Sequence, residues 1–200
     1  GSTVRGEEPA VLRAFTRIKG SAPQALLVLA PRQPERFDEV VQLSREAGFT
    51  TARRSNLPID SEPRADVVVL DTLGELAVLY QVATVVFVGG SVIDHGGHNI
   101  LEPAIFGKPI VFGPHMHNFK EIASTFVASG AGAQVQSERE LEETLVGLVR
   151  DPVRRARLGA AARALVEANR GAKNKTLEAI EALLPARTAS NVVRPFRLVH

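Results

Sequence analysis

The stretch V-V-F-V-G-G-S-V-I-D-H-G-G-H-N-I-L-E-P-A-I-F-G-K-P-I-V-F-G-P, residues 85–114, decides how the rest of the chain is read. Residues 85–88 are an apolar, β-branched and aromatic run, as in strands buried on both faces. Gly89, Gly90, Gly96 and Gly97 follow, and glycine lets a backbone take positive φ and come close to a ligand. Asn99 is placed to cap a helix whose first turn holds Glu102 and Pro103 and which Gly107 ends. Residues 108–112 supply the next strand. The free N–H groups of that helix start are expected to face the same crevice as the glycine loop, ready for an anionic or polar ligand. An ordinary strand–helix–strand turn has the same glycine content, so this stretch alone leaves both readings open.

Working outward, the same alternation recurs. Residues 7–18 carry Val11, Leu12, Phe15 and Ile18 as a helical stripe. Residues 25–30 read as a buried strand with Pro31 and Arg32 at its carboxyl end, where ligands gather in open α/β sheets. A helix over 35–47, with Phe37, Val40, Val41 and Leu43 inward, leads to a strand over 49–53 and a polar, proline-bearing loop over 55–64. The strand at 66–70 runs into D-T-L-G-E-L, where Asp71 or Thr72 is expected to cap a helix reaching about Tyr80. Downstream, 118–129 is helical and 133–136 is a short strand. Ser137 with Glu140 forms a capping box, Pro152 opens another helix, and 172–184 is a last one. Strands alternating with helices imply a parallel sheet covered by helices. One domain is expected over 1–184, with a tail over 185–200.

Composition narrows the function. Two hundred residues, 44% of them hydrophobic, can bury one large α/β core. The chain has no cysteine, which removes disulfides, thiolate metal sites and a cysteine nucleophile. With 5% aromatics and one tyrosine there is no base-stacking platform, so no nucleic-acid partner is expected. No apolar run approaches membrane-spanning length and no signal peptide is visible, so the fragment is expected to be soluble. The net charge is only +2, though the pI of about 9.3 is basic. Arginines 150, 154, 155, 157 and 163 read as a solvated helix face, with contact to anionic headgroups as a secondary role.

Five ordered motifs carry a resemblance: P-R-Q-P-E-R-F (31–37), D-T-L-G-E-L (71–76), F-V-G-G-S (87–91), G-G-H-N-I-L-E-P (96–103) and F-G-P-H-M-H-N-F (112–119). With G-S-T and Gly6-Glu7-Glu8 at the start, residues 1–184 resemble the C-terminal half of 3-deoxy-D-manno-octulosonic acid (Kdo) transferases. Gln33 departs from the pattern, which usually has histidine there. The resemblance implies a Rossmann-like parallel sheet with helices on both faces, the C-terminal half of a GT-B glycosyltransferase. It implies a nucleotide-sugar donor, CMP-Kdo, and transfer of Kdo to lipid A precursor, in lipopolysaccharide core biosynthesis. The place implied is the cytoplasmic face of the Gram-negative inner membrane.

Matched residue by residue, Pro31 and Arg32 correspond to the family's nucleotide-contacting pair, and arginine suits a phosphate or a sugar carboxylate through paired hydrogen bonds. Without those neighbours Arg32 reads as a solvated surface residue. Leu73, Gly74 and Glu75 correspond to the segment whose backbone amides meet the CMP phosphate, through the unpaired N–H groups and dipole of a helix start. Asn99, Ile100, Leu101 and Glu102 correspond to the second helix start, where Asn99 and Glu102 lie over one turn and can grip a ribose or a base edge. The resemblance implies no cofactor, and it puts the catalytic carboxylate base and the acceptor groove in an N-terminal half, leaving no catalytic residue in this chain. His95, His98, His115 and His117 lack metal-ligand spacing, so no metal site is expected. His98 is placed near the donor phosphate, and His115 and His117 in loop packing. Ser91 lacks the elbow spacing of a hydrolase nucleophile. The chain thus reads as the donor-binding half of an inverting glycosyltransferase, inactive alone. The alternatives are a non-catalytic nucleotide-binding module, or half of a UDP-sugar GT-B enzyme such as an epimerase.

Overall fold

The apolar runs become six short strands in a computed structural model that describes residues 1–58 and 64–183. They are β1 Leu27–Leu29, β2 Thr51–Arg53, β3 Val67–Val69, β4 Val86–Val88, β5 Ile110–Phe112 and β6 Ala133–Gln134. Every pairing is parallel, in the orders β1-β3-β2 and β4-β5-β6, with Leu29 and Arg53 flanking Val69 and Val88 facing Phe112. Residues 1–3 lie between the two sets. Thr3 N–H donates to the Ala30 carbonyl at 3.0 Å and Arg32 N–H to the Thr3 carbonyl at 2.9 Å, a parallel bridge to the end of β1. Gly89 N–H donates to the Gly1 carbonyl at 2.8 Å. One backbone segment therefore links the end of β1 to the end of β4.

Helices connect the strands: α1 Glu8–Lys19, α2 Phe37–Glu46, α3 Leu76–Leu79, α4 Leu101–Ile105, α5 Lys120–Ala128, α6 Glu138–Arg150 and α7 Pro152–Leu183. Strand side chains alternate between faces, so each set of apolar residues splits in two. Phe87 and Val111 join Leu29, Val67 and Val69 in a core with Val11 and Phe15 of α1, Val40 of α2 and Leu141 and Leu148 of α6. Val86, Val88, Ile110 and Phe112 point the other way, against Ala104 of α4, Phe126 of α5 and Ala162 of α7. Helices thus cover both faces, as an all-parallel sheet requires. Among the described residues no helix is long and apolar enough to cross a membrane.

The chain divides into two units, Gly1–Ala168 and Asn169–His200; the described part of the second is helical. Ser137 caps α6 as expected, its hydroxyl accepting from Glu140 N–H at 3.2 Å. Two expectations need correction. The helix foreseen from Asp71 begins only at Leu76, because Asp71 instead accepts from the N–H and hydroxyl of Ser55 at 2.9 and 2.6 Å, and Gly74 has φ +85°. The helices foreseen after Pro152 and at 172–184 are one continuous element, α7. The tail over 185–200 lies outside the described residues, as does part of the 55–64 loop.

Candidate functional site

In strand order β2-β3-β1 then β4-β5-β6, the chain leaves β3 on one side and enters β4 on the other, making a switch point between β1 and β4. Crevices outside the carboxyl ends of strands at such a point are where open α/β sheets hold ligands. Arg32 stands there, one residue beyond the bridge partner of the central segment, with an exposed side chain. Its guanidinium makes no ion pair or side-chain hydrogen bond among the described residues. Pro31 before it is buried in the bridge to Thr3.

Across the switch point, the glycine loop after β4 folds back on itself, Gly97 N–H donating to the Gly90 carbonyl at 2.6 Å. Gly90 has φ +67°, and a Cβ there would sit 2.9 Å from the His98 ring, so only glycine fits. Burial pushes His98 down to about 4, and the nearby charge of Arg32 and then His95 push the same way. His98 is therefore neutral at pH 7, and the charge of Arg32 reaches it without a direct contact.

The other expected residues follow neighbouring strand ends. Leu73, 90% exposed, and Gly74, with no atom within 4 Å of its Cβ position, stand open to solvent after β3. Glu75 is held aside by Arg54 at 3.0 Å and by the Thr72 hydroxyl. Asn99 Oδ1 accepts from Leu101 N–H at 3.0 Å, and Asn99 Nδ2 donates to Glu102 Oε1 at 3.3 Å, so the two polar side chains engage each other over one turn. Ile100 is fully buried in the core between β4, β5 and α4, which leaves only its backbone for any ligand. Burial, then the charge of Glu102, raises the Tyr80 hydroxyl above its ordinary value. The helices after these segments, α3 and α4, have four and five residues, too short for a substantial aligned dipole. The positive end of the crevice is Arg32 rather than a helix start.

One functional feature lies outside the expected set. The amides of Gly90, Ser91 and Val92, which a glycine loop offers to a ligand's anion, already hold an anion of the chain itself. Gly90 and Val4 N–H donate to Glu7 Oε2 at 2.8 and 3.1 Å, and Ser91 and Val92 N–H donate to Oε1 at 3.0 Å each. Glu7 is fully buried. Its neighbour Glu8, equally buried, receives two hydrogen bonds from Arg36 at 2.8 and 3.1 Å. Burial opposes the charge of Arg36, yet its bonds to Glu8 and Glu39 hold its pKa above the ordinary value. A signal existed in the sequence: the α1 stripe of 11, 12, 15 and 18 runs back at helical spacing to 7 and 8.

No protein-family model matches the chain. It is 37% identical over 183 residues to the 3-deoxy-D-manno-octulosonic acid transferase of Bordetella pertussis and 36% identical over 184 residues to that of Haemophilus influenzae. Those alignments take in 90% and 92% of this chain and 43% of each relative, so the chain spans less than half the length of these curated relatives. The solved C-terminal CMP-Kdo binding domain of WaaA from Acinetobacter baumannii superposes with a TM-score of 0.75 at 33% identity, over 82% of this chain and 86% of that one. The chain belongs to the Kdo transferase family. Its α/β fold is accordingly one half of a GT-B architecture. In this member of the family, Asp94 lies 3.5 Å from His115 Nδ1 and 3.6 Å from His117 Nδ1 on the loops after β4 and β5, Asp94 and His117 exposed and His115 half-buried.

Proposed function

We propose that the chain is the donor-binding domain of a Kdo transferase that moves Kdo from CMP-Kdo to a lipid A precursor in lipopolysaccharide core biosynthesis. What carries the reading is the likeness, at 33% identity over 86% of its length, to a domain that binds CMP-Kdo. The unpaired Arg32 guanidinium at the switch point supports it, since a transferred sugar leaves behind a phosphate that a preorganised cation stabilises. Pro31 fixes the approach of Arg32. Leu73, Gly74 and Glu75 form the second wall of the donor site, and Asn99, Ile100, Leu101 and Glu102 the third, with Ile100 acting through its backbone alone. The base that deprotonates the acceptor hydroxyl, and the acceptor groove, belong to the part of the relatives that this chain does not span. The full-length protein works at the cytoplasmic face of the inner membrane. Arg150, Arg154 and Arg157 are exposed and suit anionic headgroups, whereas Arg155 donates to the Leu148 and Val149 carbonyls and caps α6 instead.

Calorimetric titration with CMP, UMP and AMP tests this. The chain binds CMP in preference to AMP, and Arg32→Ala weakens CMP about tenfold or more, because a charge-assisted hydrogen bond is worth about 1.5–3 kcal/mol. Thermal melting of the variant stays unchanged, since the side chain is exposed and unpaired. Equal affinity for AMP and CMP would instead favour a general nucleotide-binding module.

A further inference from the structure

Among the described residues, two buried side-chain polar atoms have no hydrogen-bond partner: Thr3 Oγ1 and His98 Nε2. Buried polar groups are almost always paired, so each such atom calls for a reason. These two belong to the same place. Thr3, 1% exposed, is the central backbone segment between the ends of β1 and β4, bonded on one side to Ala30 and Arg32. A Cβ at Gly89 would sit 2.6 Å from Thr3 Cα, and one at Gly90 would sit 3.0 Å from His98 Nε2. Thr3 and the orphaned imidazole nitrogen of His98 thus flank two consecutive glycines at the switch point, and Arg32 joins them there, its N–H donating to the Thr3 carbonyl and its charge reaching His98.

We infer that Thr3 and His98 are donor-site residues whose side chains hydrogen-bond the phosphate oxygens of the bound nucleotide, completing with Arg32 a three-point phosphate seat. This rests on the donor-binding reading above and names the part of that site which takes the phosphate. The chemistry fits each group. A threonine hydroxyl donates one hydrogen bond in whatever direction an acceptor lies, and a neutral imidazole donates one from a single ring nitrogen. Arg32 supplies the positive charge, and burial, aided by that charge, keeps His98 neutral, so the seat carries one cation and two neutral donors. The loop amides cannot fill this part, because Glu7 occupies those of Gly90, Ser91 and Val92. Side chains take over the work that backbone N–H groups do in other glycine loops. Leaving two buried groups unpaired in the free protein lowers its stability, which is common where a site is built for a ligand.

Thr3→Val and His98→Phe keep the shapes and remove the polar atoms. Each is expected to weaken CMP binding about tenfold while leaving the affinity for cytidine, which lacks the phosphate, unchanged. Each is also expected to melt no lower than the parent chain, and Thr3→Ser, which keeps the hydroxyl, restores most of the affinity. A residue with a purely structural role would lower the melting temperature and would weaken CMP and cytidine alike; that result overturns the inference. So does undiminished CMP binding by both variants while Arg32→Ala still weakens it, which leaves the donor-binding reading standing. Absence of CMP binding by the parent chain removes both. A measurement independent of the variants is the 15N resonance of His98 Nε2 in the parent chain. It is expected to shift on saturation with CMP and not with cytidine, and an unmoved resonance overturns the inference however the variants behave.

Discussion

Glu7 shows what one buried carboxylate does for a loop of small residues. Gly89, Gly90 and Ser91 have little side-chain bulk with which to fix a conformation, and glycine loses more freedom on ordering than any other residue. Four amides converging on one carboxylate at 2.8–3.1 Å supply the missing restraint. They also tie α1 to the end of β4 across more than eighty positions of sequence. Glu7→Gln keeps the size but replaces one acceptor oxygen with an NH2 group that faces N–H donors. The two bonds to that oxygen are lost and buried donors are left unpaired, so the variant is expected to lose about 3 kcal/mol or more of unfolding free energy. Urea denaturation followed by far-ultraviolet circular dichroism reads this directly, and a loss under about 1 kcal/mol would mean that the loop holds its shape without Glu7.

At the scale of elements, the packing of α7 on the turn after α4 makes two glycines behave oppositely. Gly159, inside α7, is buried, and a Cβ there would collide with the Gly107 carbonyl oxygen, backbone on a tight turn with φ +64°. Gly147, inside α6, has only the end of the Arg154 side chain near its Cβ position, at 3.9 Å. In an open helix glycine-to-alanine stabilises by about 0.5–1 kcal/mol, and Gly147→Ala is expected to do so. Gly159→Ala is expected to destabilise by about 2 kcal/mol or more, because backbone has to move to admit the methyl group. Thermal melts of the two variants side by side check this; a gain at both positions would mean that α7 stands further from the turn.

The same contrast marks what the sequence discloses. Strand positions were legible because runs such as 67–69 and 86–88 are apolar at every residue, the pattern of burial on both faces. The Ser137–Glu140 cap was legible because its parts lie three residues apart. The false helix start at Asp71 was not, because the group that claims its carboxylate, Ser55, lies sixteen residues upstream. The separate last helix expected from residue 172 is instead the continuation of α7. For the site, the strand-end placement of Arg32, Gly74 and Asn99 followed from order alone. The exclusion of the loop amides by Glu7 depends on a contact between distant segments, which spacing does not encode.

For the whole molecule, binding and chemistry are expected to separate. The six strands and the segment over residues 1–3 bring the carboxyl ends of β1 and β4 together, with the Arg32 guanidinium exposed there. Stabilising the departing phosphate is one part of glycosyl transfer; the acceptor hydroxyl must also be positioned and deprotonated. Base catalysis contributes about 10²–10⁴-fold and positioning a comparable or larger factor, and neither is available to a chain that binds only the donor. Donor affinity also falls when only part of a cleft encloses the nucleotide. Residues 1–200 are therefore expected to bind CMP with about −4 to −6 kcal/mol, a dissociation constant from the millimolar range down to tens of micromolar. They are expected to transfer no Kdo to a lipid A precursor at any practical enzyme concentration. Radiolabelled transfer assays on a preparation free of host enzyme, with and without a separately expressed N-terminal half of a relative, read both arms. Restored transfer on adding that half fits the division of roles, whereas turnover by this chain alone would place the base within it and sink the proposal that it is a donor-binding half.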